Sequence, residues 1–159
     1  MSTVAPTLDP AVAARKARLS HLAKAPADRL KSLWVDYLAG AQAPAYEVLR
    51  APEIGTVMVR GRAGARGAAF NLGEMTVTRT AIRLQGGPVG HGHVQGRDKD
   101  AATLVALIDA LAQAGAAAAL DRAIIAPLAE AAAARRASRA AKAAATKVEF
   151  FTMVRGDNG

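Results

Sequence analysis

The N-terminal part of the chain repeats apolar and polar residues with the period of an α-helix. Residues 10–25 predict a first helix with basic side chains on its polar side, and Pro26 interrupts the pattern before a second helix. In the second helix, large apolar residues recur at i, i+3, i+4, i+7 and i+8, and Gly40 is a typical stop. These apolar residues are Leu30, Leu33, Trp34, Tyr37 and Leu38. We therefore expect a helical hairpin that packs on another element.

The middle of the chain changes to the two-residue period of β-strands. Glycine-containing turns are expected at 52–55, 61–67 and 72–73. Such short connections permit antiparallel pairing but no parallel crossover. The pattern therefore predicts an antiparallel meander of about four strands. The expected strands lie at 46–50, 56–60, 74–84 and 90–95.

Helical periodicity returns after Asp98. Apolar residues between 104 and 111 follow a helical pattern that Gly115 ends, and 116–125 is expected to be helical as well. The alanine-rich residues 128–146 have the highest helix propensity in the chain. One side of this predicted helix carries a basic stripe that consists of Arg135, Arg139 and Lys142. We expect this helix to need a partner, because alanine buries little surface.

The C-terminal segment 148–159 is rich in large apolar residues, although residues near a chain end are usually solvated. As an extended tail it would be partly apolar on both faces, which suits insertion between two surfaces. The alternative, that its first half folds onto the chain's own sheet, stays open. For 155–158 we favour contact with another subunit. The candidate interface residues are Phe150, Phe151, Met153, Arg155 and Asp157.

Composition supports one α+β domain with a thin core. The 159 residues fit a single domain at 15–159, preceded by a flexible N-terminus at 1–14. Half of the apolar residues are alanine. Burial of an alanine methyl group contributes only about 0.8 kcal/mol to stability. We therefore expect the isolated chain to be loosely folded and to complete its burial against a partner.

Charge and cysteine content exclude several functional classes. Without cysteine there is no disulfide framework, thiolate nucleophile or cysteine-ligated metal. With no secretory signal and no apolar run near about 18 residues, we expect a cytoplasmic protein without a membrane span. The net charge of +8 favours nucleic acid, a phosphorylated ligand or an acidic partner. Direct nucleic-acid binding is disfavoured because the arginine-rich stretches contain no aromatic residue.

The best ligand-contact candidate lies where the last strand gives way to a helix. Gln95, Arg97 and Lys99 are the candidate phosphate or partner contacts, since helix N-termini attract anions and both basic residues would reinforce that. The favoured alternative is that Asp98 or Asp100 simply caps the helix.

Two further motifs carry weaker signals. His91 and His93 would share one face of a strand, as two metal ligands might, but no third ligand has a fitting spacing, so no metal site is expected. The glycine- and arginine-rich loop lacks a phosphate-loop pattern and is best explained as a solvated hairpin loop. No Ser/His/Asp arrangement or close carboxylate pair predicts a catalytic site, and none is assigned.

Several segments, in this order and spacing, resemble one known family over about residues 15–159. That family is the G subunit (PhnG) of the bacterial carbon–phosphorus (C–P) lyase core complex. The closing FFTMVRGDN is the most specific segment, whereas the Gly/Arg loop and the alanine-rich stretches depart from the family pattern. The matching segments are 47–55, 73–84, 93–99, 106–111 and 148–159.

The resemblance implies a non-autonomous subunit of a transferase/lyase system in organic phosphonate catabolism. In that family the G, H and I proteins, with the L protein, are associated with displacement of adenine from ATP by an alkylphosphonate. The product is a ribose 1-phosphonate bearing a 5-triphosphate. The alternative, from another functional class, is a small basic module that binds nucleic acid or another polyanion.

The resemblance also implies the partners and cofactors. The expected partners are the H, I and J subunits, with the L and K proteins as further candidates. ATP is the expected co-substrate of the complex, and the chain alone is expected to bind no cofactor. The iron–sulfur cluster and S-adenosylmethionine are expected on the J subunit, since a chain without cysteine cannot hold that cluster through thiolates.

Overall fold

The computed structural model describes residues 9–62 and 67–146. Helices flank a three-stranded antiparallel sheet, which confirms the predicted α+β class. The chain divides into two compact units, Met1–Ala129 and Glu130–Gly159. The elements are α1 (Pro10–Leu22), α2 (Ala27–Leu38), β1 (Tyr46–Gly61), β2 (Phe70–Leu84), β3 (Val89–Gln95), α3 (Lys99–Leu111), α4 (Ala117–Leu120) and α5 (Ala126–Ala145).

The predicted N-terminal helical hairpin is present, with ends fixed by local residues. The Asp9 side chain accepts a hydrogen bond from the Ala11 amide at 2.7 Å, and Pro10 is the first helical residue, at the predicted start of this helix. Helix α2 ends where Ala39 and Gly40 adopt left-handed φ angles of 47° and 85°.

Among the residues that the structure describes, the sheet has three antiparallel strands in the order β1-β2-β3, so the predicted antiparallel meander is confirmed but the count of about four strands is not. The expected turn at 52–55 is instead an irregular part of β1, where two register shifts let the strand continue. Pro52 is tolerated there because β1 is an edge strand and its missing amide breaks no ladder. The expected turn at 72–73 lies within β2, because Val59 still pairs with Gly73.

Helix α3 lies directly on the backbone of β3 because both contacting surfaces are small. A Cβ atom at Gly92 would stand 1.9 Å from the Ala102 carbonyl oxygen, and one at Gly90 would stand 1.9 Å from that of Ala106. The fully buried residues Ala102, Ala106 and Ala110 form one helix face at i, i+4 and i+8. The close approach therefore requires glycine on the strand and alanine on the helix.

The hydrophobic core of the first unit joins all its helices to one face of the sheet. Alternation along β3 puts Gly90, Gly92 and Val94 inside, against α3. The largest fully buried apolar side chains are Leu22, Leu30, Ile82, Val105, Ile108, Leu120 and Ile124. This core is larger than the alanine content alone suggests, because most of the branched side chains converge on it.

Two arginines of α1 form ion pairs with distant carboxylates. Arg15 donates two hydrogen bonds to Asp109, at 2.9 and 2.8 Å, and Arg18 donates two to Asp121, at 2.7 and 2.9 Å. Asp109 is fully buried and also accepts the His91 amide at 3.0 Å. The Arg15–Asp109 and Arg18–Asp121 pairs, called the α1 clamps below, therefore tie α1 to β3, α3 and the turn after α4.

The C-terminal half is one helical run with interruptions. π-helical turns at Ala112–Ala116 and Asp121–Ile125 separate α3, α4 and α5, and Gly115 departs from helical geometry with a φ of 105°, at the predicted stop. The whole run, Lys99–Ala145, contains a window of mean hydropathy 1.7, long and apolar enough by composition to cross a membrane, although the sequence predicts no span. That criterion is weak evidence, since core helices also satisfy it, and 44% of this window is buried.

The described part of the second unit is the distal portion of α5, as the sequence predicts for the alanine-rich helix. Its residues from 133 to 145 are exposed, including the basic stripe of Arg135, Arg139 and Lys142. The fold of the first unit thus accounts for nearly all buried residues among those described.

Candidate functional site

The turn from β3 into α3 is fixed by hydrogen bonds and presents basic side chains. The Gln95 amide donates to the Ala23 carbonyl and the Gly96 amide to the Thr76 carbonyl, both at 2.9 Å. The Thr78 hydroxyl donates to the Gly96 carbonyl at 2.8 Å. The turn is thereby attached to α1 and to the neighbouring strand, so its side chains project from a rigid base.

Asp98 caps α3, as the favoured sequence alternative supposed. Its carboxylate accepts the Ala101 amide at 2.8 Å and the Lys31 ammonium at 2.9 Å. The bond from the Ala101 amide, followed by that from Lys31, holds the pKa of Asp98 below its usual value. The bond to Asp98 raises the pKa of Lys31. One of the amide groups at the start of α3 that lack a partner within the helix is therefore satisfied by Asp98.

The predicted contact residues Gln95, Arg97 and Lys99 lie together around this cap, and their side chains are exposed. Within residues 9–62 and 67–146, neither Arg97 nor Lys99 forms an ion pair. Two positive charges on a rigid turn beside a helix N-terminus can accept an anionic group from solvent. No bound group tests this role, so it stays a prediction.

An open cleft of about 520 Å³ lies beside the same helix start, between α2, α3 and the beginning of β1. Its floor is apolar, formed by Trp34, Leu104 and Leu107, and Lys31 and Asp100 are among the polar residues that line it. The Trp34 ring stacks on the ring of Tyr37, also in α2, with centroids 5.6 Å apart, which holds the Trp34 ring in place. Such a cleft can hold a flat or aliphatic group beside charged groups.

The sequence reasoning missed this cleft. Trp34 reads as a core residue of α2, and Tyr46 as the start of a strand, so nothing in the spacing joins them. Lys31 and Asp100 come together only through packing of the helix pair, since their charged atoms lie 4.0 Å apart in the fold. The cleft has one visible mark in the fold. Val35, an apolar residue beside Trp34, remains largely exposed at its edge.

His91 and His93 share the exposed face of β3, as strand alternation predicts. His93 pairs across the strands with Arg79, which in turn pairs with Glu53 on β1. Glu53 accepts hydrogen bonds from Arg79 and Arg50, and the bond from Arg79 lowers the pKa of Glu53 most. In the part of the chain that the structure describes, no group of three or more metal-ligating His, Cys, Asp or Glu side chains occurs.

The remaining predicted features divide between described and undescribed residues. The glycine- and arginine-rich segment joins β1 to β2 as a hairpin connection, as expected, with residues 63–66 outside the described part. The C-terminal candidates fall outside it altogether and stay predictions: Phe150, Phe151, Met153, Arg155 and Asp157.

Comparison with known proteins identifies the family. The sequence profile of the family described as "Phosphonate metabolism protein PhnG" matches residues 13–156. The chain belongs to the PhnG family. The resemblance to the G subunit that the sequence suggested is therefore confirmed.

A curated relative agrees with this family membership over almost the whole chain. It is the "Alpha-D-ribose 1-methylphosphonate 5-triphosphate synthase subunit PhnG" of Rhizobium meliloti (strain 1021). The two sequences are 43% identical over 150 residues, which are 94% of this chain and 94% of the relative. The PhnG-family chain described here is therefore matched from α1 through the C-terminal segment, and not in one motif alone.

Proposed function

We propose that this chain is a non-autonomous subunit of a synthase that makes ribose 1-methylphosphonate 5-triphosphate in the cytoplasm. The observation that carries the proposal is the 43% identity to a subunit of that synthase over 94% of both chains. In the reaction we propose, an alkylphosphonate oxygen displaces adenine from the ribose of ATP. The H and I subunits, with the L protein, act with this chain, and the J subunit completes the core.

The described residues support an assisting role in that reaction. The exposed Arg97 and Lys99 beside the α3 cap have the charge needed for the triphosphate of ATP or of the product. We propose that they contact this triphosphate or an acidic surface of a partner that borders it.

Adenine release tests this proposal directly. The chain is coexpressed with the H, I, J and L proteins, and adenine is measured after addition of ATP and methylphosphonate. We expect adenine release with all proteins and a loss of at least tenfold when this chain is omitted. Normal release without it would contradict the proposal.

A charge-matched pair of variants tests the two basic residues. Arg97→Ala with Lys99→Ala should raise the ATP concentration needed for half-maximal release about tenfold or more, the loss expected from two charge-assisted bonds. The control is Lys24→Ala with Arg29→Ala, which removes the same charge from exposed residues outside this turn. If both variants require the same ATP concentration for half-maximal release, Arg97 and Lys99 contact no ligand and the turn is only a capped helix start.

A further inference from the structure

The β1–β2 hairpin extends beyond the third strand. Strand β3 pairs with β2 only from Val77 to Arg83. Beyond Val77, residues 56–61 of β1 pair only with residues 70–76 of β2 among the described residues. We call these two stretches the arm. It is a two-stranded ribbon attached to the packed part of the sheet at one end.

The arm carries apolar side chains on both faces. Val57 lies opposite Met75 on one face, and Met58 lies opposite Glu74 on the other. Met58, Phe70 and Leu72 are 53, 48 and 58% exposed. An isolated two-stranded ribbon is marginal in water, and clustered exposed apolar residues mark interaction surfaces. Burial of the arm against another surface would therefore be favourable.

Beyond Glu74, the distal part of the arm carries charge of one sign. Residues 55–73 contain arginines at 60, 62 and 66 and no Asp or Glu, so the connection at the tip has no internal counter-charge. Arg60 and Arg62 are exposed and form no ion pair within residues 9–62 and 67–146. A surface that receives the arm must therefore offer carboxylates around an apolar centre.

We propose that the arm inserts into an apolar cleft with a carboxylate rim on another subunit of the synthase. The proposal rests on the proposed function, because it requires a second subunit. A second copy of this chain is a less suitable partner for the arm than another subunit. Two such arms would bring like charges together on chains of net charge +8. Nucleic acid would engage the arginines but leave Met58 and Leu72 exposed to water.

Copurification of the full-length chain with coexpressed H, I and J subunits tests the arm. One variant replaces its exposed apolar residues (Met58→Thr, Phe70→Thr, Leu72→Thr) with a residue that strands tolerate. A second reverses its charge (Arg60→Glu, Arg62→Glu). The control replaces exposed apolar residues outside the arm (Val12→Thr, Val48→Thr). Thermal unfolding of each purified chain checks that the fold is retained.

We expect the apolar variant to lower recovery of the partner subunits at least tenfold. Charge reversal should lower recovery severalfold at low salt, with a smaller difference at high salt, because the rim contacts are screened. The control should assemble like the wild type. If the apolar variant fails to fold, the charge-reversal variant alone decides, since its arginine side chains form no ion pair within residues 9–62 and 67–146.

Three outcomes would overturn the proposal and identify what replaces it. Normal assembly of folded arm variants would exclude the arm while leaving the proposed function intact. Failure of the wild-type chain to copurify would overturn both. If the arm variants copurify normally with the partner subunits but the chain forms a dimer that requires the arm, the arm binds a second copy. If they copurify normally but DNA binding is lost in Arg60→Glu, Arg62→Glu, the arm binds nucleic acid.

Discussion

The packed part of the sheet and its arm belong to the same two strands but are stabilised differently. In the packed part, β3 lies under α3 at glycine–alanine contacts and is joined to α1 through Asp109, and β2 pairs with strands on both sides. In the arm, the same strand β2 has one partner strand and exposed apolar side chains. The difference shows that β2 is paired on both sides over only part of its length, and that its apolar side chains Phe70 and Leu72 remain exposed beyond that part.

The largest expected effect is loss of the buried carboxylate in the packed part. Asp109→Ala should lower the free energy of unfolding by about 3–5 kcal/mol, because it removes a buried ion-pair partner and leaves the His91 amide without its acceptor. Denaturant unfolding of the purified chain measures this. Asp36→Ala, at an exposed position of α2, is the control and should change it little. Equal effects would mean that the packed part does not depend on this link.

The next largest effect is expected at the contact between α3 and β3. Gly92→Ala should lower the free energy of unfolding by about 3 kcal/mol, since its methyl group would collide with the Ala102 carbonyl oxygen and force helix and strand apart. Gly55→Ala makes the same change on β1, where a Cβ atom meets nothing within 4 Å. Thermal unfolding should separate the two variants clearly, and a similar loss at Gly55 would refute the assigned close approach.

A smaller effect is expected from acid titration of the Arg18–Asp121 pair. The bond from Arg18 holds the pKa of Asp121 below its ordinary 3.8, so this pair stabilises the fold above that pH and the contribution is lost as pH falls through the lower folded value. Because the Asp121 carboxylate is half-exposed, the contribution is about 1 kcal/mol or less. Asp121→Asn should flatten the stability curve below about pH 4. An unchanged curve would exclude the pair as a clamp.

The smallest effect on stability is expected in the arm. Met58→Thr should change the free energy of unfolding by no more than about 0.5 kcal/mol, because Met58 is mostly exposed. Amide hydrogen exchange should show the complementary result, with arm amides at 57–60 exchanging by local opening and those of β2 at 78–82 only on global unfolding. Uniform protection along β2 would contradict the division into packed part and arm.

Much of the helical fold could be predicted because its signals are local. Apolar spacing identified α2 and α3, Gly40 and Gly115 marked stops, and Asp98 was one of two expected caps. The count of about four strands is not confirmed, for a tertiary reason. Pro52 and its neighbours form a turn in most sequences, but here β2 supplies a partner strand that holds them in an irregular edge strand.

The candidate site was predictable only in part. Arg97 and Lys99 lie next to a recognisable cap, so a local motif pointed to them. The cleft formed around Trp34 and Tyr46 depends on how α2 packs beside α3, and no spacing in the sequence encodes that distance. Likewise, the sequence predicts a strand at 90–95, but only the packing of α3 on it shows that Gly90 and Gly92 admit a helix backbone.

The α1 clamps also set the order in which a newly made chain can complete its fold. Arg15 and Arg18 lie 94 and 103 positions before the carboxylates that bind them, Asp109 and Asp121. During synthesis, α1 therefore leaves the ribosome long before either carboxylate exists, and its arginines stay solvated until the last third of the chain follows. Final docking of the first helix thus reports that translation has passed Asp121, so a prematurely terminated chain would expose the underside of α1 to quality control.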